Sequence, residues 1–305
     1  MSKRFPSTIL STAVVPWDED YRFQEDLFRQ QVQGLRHELT PYIYLFGTAG
    51  EGYAVSESQF NEIVDAFRDE MLPGAHPMVG LISLSLQTIV ERIERCRERG
   101  IHAFQISLPG WGTLTDREVD IFFEQTCGRF PDCQFLHYNL PRTGRVLSAD
   151  DYARLAPAHG NLVAVKFGGT RDAELISELI QKVPQIQFFF TEFGYATARR
   201  LGEECGFLIS MCISNFTRAR EYFEARGARS EEMVKELEGM ATALRSAVAD
   251  RGHMDGVFDK MFTKIHIPEF PLRLLPPYTA AGDEQFEAFV AALPESWRLT
   301  DGPQT

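Results

Sequence analysis

Three short stretches hold residues that can do chemistry: LVAVKFGG (162–169), FLHYNLPRTG (135–144) and FGTAGEG (46–52). In the first, Lys166 ends a run that otherwise reads as a buried strand. Burying an ammonium group is costly unless it is paired or deprotonated. Lys166 is therefore either a strand-end lysine that reaches solvent along its apolar stem, or an amine whose lowered pKa suits attack on a ketone. Alone, the first reading is the commoner. Strand alternation puts Leu162, Ala164 and Lys166 on one face and Val163, Val165 and Phe167 on the other. Gly168 and Gly169 leave room for a substrate close to the backbone. In the second stretch Tyr138 either relays protons or packs its ring and bonds its hydroxyl locally. His137 points away from Tyr138, and Asn139, Pro141 and Gly144 suit a turn leaving the strand. In the third, glycines let backbone N–H groups converge on an anion such as a carboxylate, and Thr48 adds a hydroxyl. The alternative is a tight turn without a ligand, braced by Glu51.

Other chemistries fit poorly. The seven histidines form no H-x-H or H-E-x-x-H pattern, and His253 and His266 are far apart in the chain. No G-x-S-x-G or phosphate-binding P-loop occurs. The G-x-x-G-x-G spacing at 47–52 is not a dinucleotide fingerprint, and the next strand ends at Ser83 instead of an acid.

The elements around these residues follow one pattern. β-rich apolar runs occupy 7–15, 42–48, 77–83, 103–109, 134–141, 162–169, 187–192 and 206–211. Helical patterns lie between them, such as FQEDLFRQQVQGL, SESQFNEIVDAFRDEM and LQTIVERIERCRERG, the last stopping at Gly100. Strands alternating with helices imply parallel pairing. Eight such repeats predict an α/β fold, a TIM (β/α)8 barrel, with an open doubly wound sheet as the alternative. After about residue 215 the chain reads as further helices (SEEMVKELEGMATALRSAVAD, HMDGVFDKMFTKIH, DEQFEAFVAAL) and a proline-rich passage, IPEFPLRLLPP. The expected division is a barrel over 1–228 and an additional C-terminal helical extension over 229–305, packed on it.

The chain has 305 residues, 44% hydrophobic and 24% charged, enough for a large core. A formal net charge of −12 argues against nucleic acid or an anionic membrane as the main partner. The five cysteines (96, 127, 133, 205 and 212) are odd in number and match no zinc pattern, so free thiols in a reducing compartment are expected. The N-terminal stretch is a poor signal peptide, because Ser, Thr and Pro interrupt its apolar part. No run approaches a membrane span. These features predict a cytoplasmic protein.

The stretches occur in an order that resembles the dihydrodipicolinate synthase and N-acetylneuraminate lyase family of pyruvate-dependent class I aldolases. FGTAGEG resembles that family's G-T/S-T-G-E loop, HYNLPRTG its Y-N-x-P segment, LVAVKFGGT its lysine segment, GFLIS its G-V-I-S segment, and IPEFPLRLLPP its proline-rich passage. The likeness spans nearly the whole chain. It implies a barrel enzyme, a lyase, in which Lys166 forms an imine with a small-molecule 2-oxo acid and Tyr138 shuttles protons. It implies that Gly47, Thr48 and Ala49 form the carboxylate loop, with the N–H groups of Thr48 and Ala49 holding the anion. It implies that Ile209 lines the side of the three-carbon unit. It implies a homo-oligomer, tetramer or dimer, and chemistry that needs no cofactor or metal.

The departures bear on substrate. Ala49 stands where synthases of the family carry a second hydroxyl of a proton relay. Trp111, in PGWG, stands near the place of a tyrosine that crosses a subunit interface. The YNLPRTG segment is one residue shorter than Y-N-x-P-x-R-T-G, which alters the register of Arg142 toward a distal carboxylate. Glu192 and Phe193 fall where relatives vary with substrate, and a glutamate suits a polyhydroxylated or cationic partner. The expected activity is cleavage or formation of a C–C bond beside a 2-oxo acid such as pyruvate. The alternatives are a 2-oxo sugar-acid dehydratase using the same imine, dihydrodipicolinate synthase itself, and a barrel that binds a 2-oxo acid without turnover.

Overall fold

The computed structural model of this chain describes residues 4–249 and 256–299. Every apolar run predicted as a strand coincides with one, β3 starting a residue before its run: β1 (Ile9–Thr12), β2 (Tyr42–Leu45), β3 (His76–Gly80), β4 (Ala103–Ile106), β5 (Gln134–Asn139), β6 (Leu162–Phe167), β7 (Gln187–Phe190) and β8 (Gly206–Leu208). They follow one another around a closed barrel in chain order, with β8 paired in parallel to β1. This is the predicted TIM barrel; the open-sheet alternative does not occur. The strands are shorter than the runs because their last residues turn into the loops that follow. Glu192, taken as the end of a strand run, instead opens a helix.

The helices are α1 (Glu25–Gly34), α2 (Glu57–Met71), α3 (Leu86–Glu98), α4 (Asp116–Phe123), α5 (Ala149–Ala158), α6 (Ala173–Lys182), α7 (Glu192–Arg200) and α8 (Phe216–Glu224). They continue as α9 (Gly227–Ala247), α10 (Gly256–His266) and α11 (Asp283–Ala291). Ser56 with Gln59, Thr115 with Glu118, and Ser148 with Asp151 satisfy the orphan N–H groups at three helix starts by reciprocal caps. Gly100, at φ 79°, lies just beyond α3 in the left-handed region that suits a helix stop. The five cysteines are buried and free, as their odd count suggested. Among the described residues no helix is long and apolar enough to cross a membrane. His253 lies outside the described residues.

The chain divides into two compact units, Met1–Leu10 with His76–Leu208, and Ser11–Ala75 with Ile209–Thr305. In the first, β5 is organised by what its alternate residues meet. His137 faces the helices: its Nδ1 lies 2.7 Å from the Tyr152 hydroxyl of α5, and its ring meets Phe123 of α4 edge-on. Complete burial pushes the His137 imidazole down to about 3. Asn139 closes a two-way amide clamp with the backbone of Leu147, at 2.8 and 2.9 Å, which fixes the loop leaving β5. Asn161, just before β6, donates to the carbonyls of Cys127, Phe130 and Cys133, each at 3.0 Å.

In the second unit the turn after β2 is held from inside. Glu51 has φ 56°, a conformation L-residues rarely adopt. Its carboxylate accepts from Trp17 Nε1 at 2.8 Å and from the Leu275 backbone N–H at 2.6 Å, and it pairs with Lys260 of α10 at 2.6 Å. Both charged side chains are fully buried. Lys260 also donates to the Arg273 carbonyl, and Arg273 returns a bond to the Trp17 carbonyl at 3.1 Å. Desolvation pushes the Lys260 amine below its ordinary range, and Glu51 opposes that shift. The expected bracing role of Glu51 is therefore present in full. Gly50 and Gly52 complete the turn by close approach: a Cβ at Gly52 would stand 2.4 Å from the Phe46 carbonyl oxygen, and one at Gly50 2.9 Å from that of Ala13.

Two predictions follow from these buried groups. Truncating Lys260 strands the Glu51 charge, so Lys260→Met is expected to lose about 3–5 kcal/mol in urea unfolding; a loss within error of zero would show the pair to be inert. For His137, the unfolded ring takes a proton near its ordinary value of 6.5 while the folded ring resists to about 3. The unfolded chain thus binds more protons in that window, and stability is lost as pH falls through it. His137→Gln is expected to flatten the dependence of unfolding free energy on pH by up to about 1.4 kcal/mol per pH unit between about pH 6 and 4. An unchanged slope would refute the assignment.

Candidate active site

Parallel register sets Tyr138 of β5 directly beside Lys166 of β6, and Lys166 beside Phe189 of β7. All three belong to the first unit, near the C-terminal ends of their strands, where barrels of this kind place their chemistry. Lys166 is only 4% exposed, so it does not take the solvent-reaching path of a strand-end lysine. Its Nζ lies 3.9 Å from the centroid of the Tyr138 ring. The same nitrogen donates to Gln105 Oε1 at 3.3 Å. The amine therefore sits between an aromatic face and a carbonyl oxygen, both electron-rich, with water largely excluded. Beyond it the chain opens: a Cβ added at Gly168 or Gly169 would meet nothing within 4 Å.

Gln105 is the residue that sequence reasoning missed. It lies in β4, is 1% exposed, and interrupts the apolar run AFQISLP as Lys166 interrupts LVAVKFGG. Its Nε2 has no hydrogen-bond partner among the described residues. Leaving a buried donor unsatisfied costs about 1–3 kcal/mol. A polar residue in an apolar strand was the available signal, and β4 carried no motif to draw attention to it.

The other predicted residues of this unit stand on neighbouring loops. Trp111 follows β4 and is 89% exposed. Arg142, also exposed, lies in the 3-10 turn Pro141–Thr143 after β5. Arg145 ties these loops together, donating to the Leu114 carbonyl at 2.8 Å and to Asp116 at 2.6 Å. The two backbones run close, since a Cβ on Gly110 would stand 3.0 Å from the Arg142 carbonyl oxygen. Glu192 is buried in the first turn of α7, where a negative charge complements the helix dipole. Phe193 lies under the Arg171 guanidinium, 3.6 Å from its ring centroid. The remaining candidates belong to the second unit. Gly47, Thr48 and Ala49 form the turn after β2, where the N–H groups of Glu51 and Gly52 close back onto the Thr48 and Gly47 carbonyls. Ile209 is buried directly after β8.

One other cluster of ligand-type atoms occurs among the described residues. His102, Asp132 and Cys133 bring theirs within 4.8 Å of one another. Arg97 already holds Asp132 at 2.6 Å, and burial pushes the Cys133 thiol up to about 11. A neutral thiol beside an ion-paired carboxylate is a weak ligand set. It lies at the N-terminal end of β5, away from the strand ends that carry Tyr138 and Lys166.

Known proteins resemble this chain in sequence and in fold. A 4-hydroxy-tetrahydrodipicolinate synthase of Prochlorococcus marinus is 21% identical over 187 residues, 61% of this chain and 62% of that protein. A probable 5-dehydro-4-deoxyglucarate dehydratase of Rhizobium rhizogenes is 23% identical over 183 residues, 60% of this chain and 59% of that protein. The match thus spans about three fifths of each of these relatives. The solved N-acetylneuraminate lyase of Proteus mirabilis superposes with a TM-score of 0.81 over 94% of this chain and 97% of that one. At 14% identity, that likeness carries the fold. The sequence model of the Dihydrodipicolinate synthetase family matches residues 6–195, a span that includes Gln105, Tyr138 and Lys166. The chain belongs to the dihydrodipicolinate synthetase family.

Proposed function

We propose that this chain is a Schiff-base-forming lyase that breaks or makes a C–C bond beside a 2-oxo acid, with pyruvate as the common fragment. The observation that carries the reading is the Lys166 amine, buried and 3.9 Å from the centroid of the Tyr138 ring at the ends of adjacent strands. Lys166 attacks the ketone carbon, the carbonyl electron pair moves to oxygen, and one amine proton passes to that oxygen to give a carbinolamine. Tyr138 delivers a proton to that oxygen, water leaves, and a protonated imine remains. In cleavage of a 4-hydroxy-2-oxo acid, Tyr138 takes the hydroxyl proton, the C3–C4 bond breaks, and its electrons enter the imine as an enamine. An aldehyde departs. Protonation of the enamine and hydrolysis release pyruvate and restore the amine.

The roles of the other residues come from the resemblance. Gly47, Thr48 and Ala49 are proposed as the carboxylate loop and Ile209 as the lining of the three-carbon unit. Arg142, Trp111, Glu192 and Phe193 are proposed to meet the distal part of the substrate. The division into a barrel over 1–228 and an extension over 229–305, a homotetramer or dimer, and a cytoplasmic location belong to the same proposal. A second reading has its own support: the dehydratase of Rhizobium rhizogenes is 23% identical over its matched segment. In a dehydration through the same imine, a base takes a C3 proton to give the enamine, which expels the C4 hydroxyl, and that proton leaves with it as water.

Borohydride trapping tests the imine directly. Pyruvate is expected to yield a reduced adduct on the peptide carrying Lys166, and Lys166→Ala to lose both adduct and turnover. Tyr138→Phe is expected to keep the fold and lose about 10²–10⁴-fold in rate. Assay of cleavage and dehydration products in parallel separates the two reactions. Trapping that fails with pyruvate and with several longer 2-oxo acids would sink both and leave a barrel that binds without turnover.

A further inference from the structure

We infer that Gln105 is a further catalytic residue, whose carboxamide touches both the reacting nitrogen and the oxygen that forms on the carbon it attacks. The inference rests on the imine reading of Lys166. The carboxamide is 1% exposed and spans two environments. Its oxygen accepts from Lys166 Nζ at 3.3 Å, while its Nε2 is buried with no hydrogen-bond partner among the described residues. Buried donors in folded proteins almost always find partners, so this one calls for an explanation. The Lys166 amine accounts for the carboxamide oxygen but leaves the NH2 end without a role, while Phe104 and Ile106 pack apolar and fully buried on the other face of β4. A leucine or methionine would fill the place without an orphaned donor.

The amine fixes the orientation of the amide. An amine with protons to donate turns the carboxamide oxygen toward itself, which leaves the NH2 end for another acceptor. The bound 2-oxo acid supplies one. After attack, the new oxygen is two bonds from Nζ, beside a group that already contacts that nitrogen. Gln105 Nε2 donates to this oxygen as its negative charge grows, in the manner of an oxyanion donor. The nitrogen passes one of its protons to that oxygen and Tyr138 delivers the second, so the oxygen leaves as water and one N–H stays on the imine nitrogen. Through the imine stage Gln105 Oε1 holds the N–H that remains on nitrogen, placing a carbonyl dipole against its positive charge. Gln105 gives up and gains no proton in either step.

The test is the rate of borohydride-trapped adduct formation with pyruvate, measured across pH for the wild type, Gln105→Leu and Gln105→Glu, with thermal unfolding of each. Gln105→Leu removes the orphaned donor together with the acceptor of the Lys166 bond, two opposed effects, so its melting temperature is expected to change little. Its adduct is expected to form about tenfold more slowly or worse. A purely structural glutamine would give the reverse, a lower melting temperature with unaltered trapping. Gln105→Glu places a carboxylate beside Nζ, which favours the ammonium form. Its trapping profile is expected to move to higher pH. Trapping by Gln105→Leu at the wild-type rate overturns the role of Gln105 and leaves the imine standing. No adduct in the wild type overturns both.

Discussion

The structure depends on keeping an amine at the dry end of a parallel strand. Lys166 has little contact with water, so its neighbours must supply the polarity that water would. The Tyr138 ring face and the Gln105 carbonyl do so, and each is in place only because β4, β5 and β6 pair in one register. A slip of one residue in β6 would turn Lys166 toward the helices and put Val165 or Phe167 beside Tyr138. Barrel closure and the clamp of Asn139 on Leu147 thus serve the site by holding register and strand ends still.

The second unit meets the same cost by a different route. Lys260 and Glu51 are both fully buried, and each is surrounded by further hydrogen bonds. Here charge is matched by charge, and the result is a turn whose backbone is held in a left-handed conformation at Glu51. The partners of that carboxylate come from Trp17, Lys260 and Leu275, so the turn after β2 is shaped by chain far beyond it. Lys260 is matched by the Glu51 carboxylate, while the Lys166 amine meets the Gln105 carbonyl and the Tyr138 ring face. In the proposed chemistry the Lys166 amine must be able to lose its proton, since an ammonium form cannot attack a ketone.

Much of this was legible in the sequence because it is local. The eight apolar runs, the helical periodicity between them and the stop at Gly100 depend on side-chain spacing and backbone preference within a few residues. Lys166 stood out for the same reason, as one charge in an apolar run, and Glu51 was readable as a brace from its place inside a glycine turn. Glu192 was misplaced at a strand end because the boundary between QFFF and the next helix is decided by cap geometry, and Thr191 offers only a weak signal there.

What only the tertiary structure decided is which distant residues share a space. Gln105 and Lys166 are 61 positions apart, and Glu51 and Lys260 are 209 apart, so no local pattern links either pair. Their meeting depends on strand order, register and the path of the C-terminal chain, which are set by the packing of whole elements. By itself the sequence determined the elements, which short-range hydrophobic pattern encodes, and the order of its motifs carried the resemblance that implied a barrel and singled out Lys166. Folding decided that the amine is dry, that Tyr138 and Gln105 are its neighbours, and that Lys260 is the partner of Glu51. These are properties of burial, and burial is a property of the folded chain as a whole.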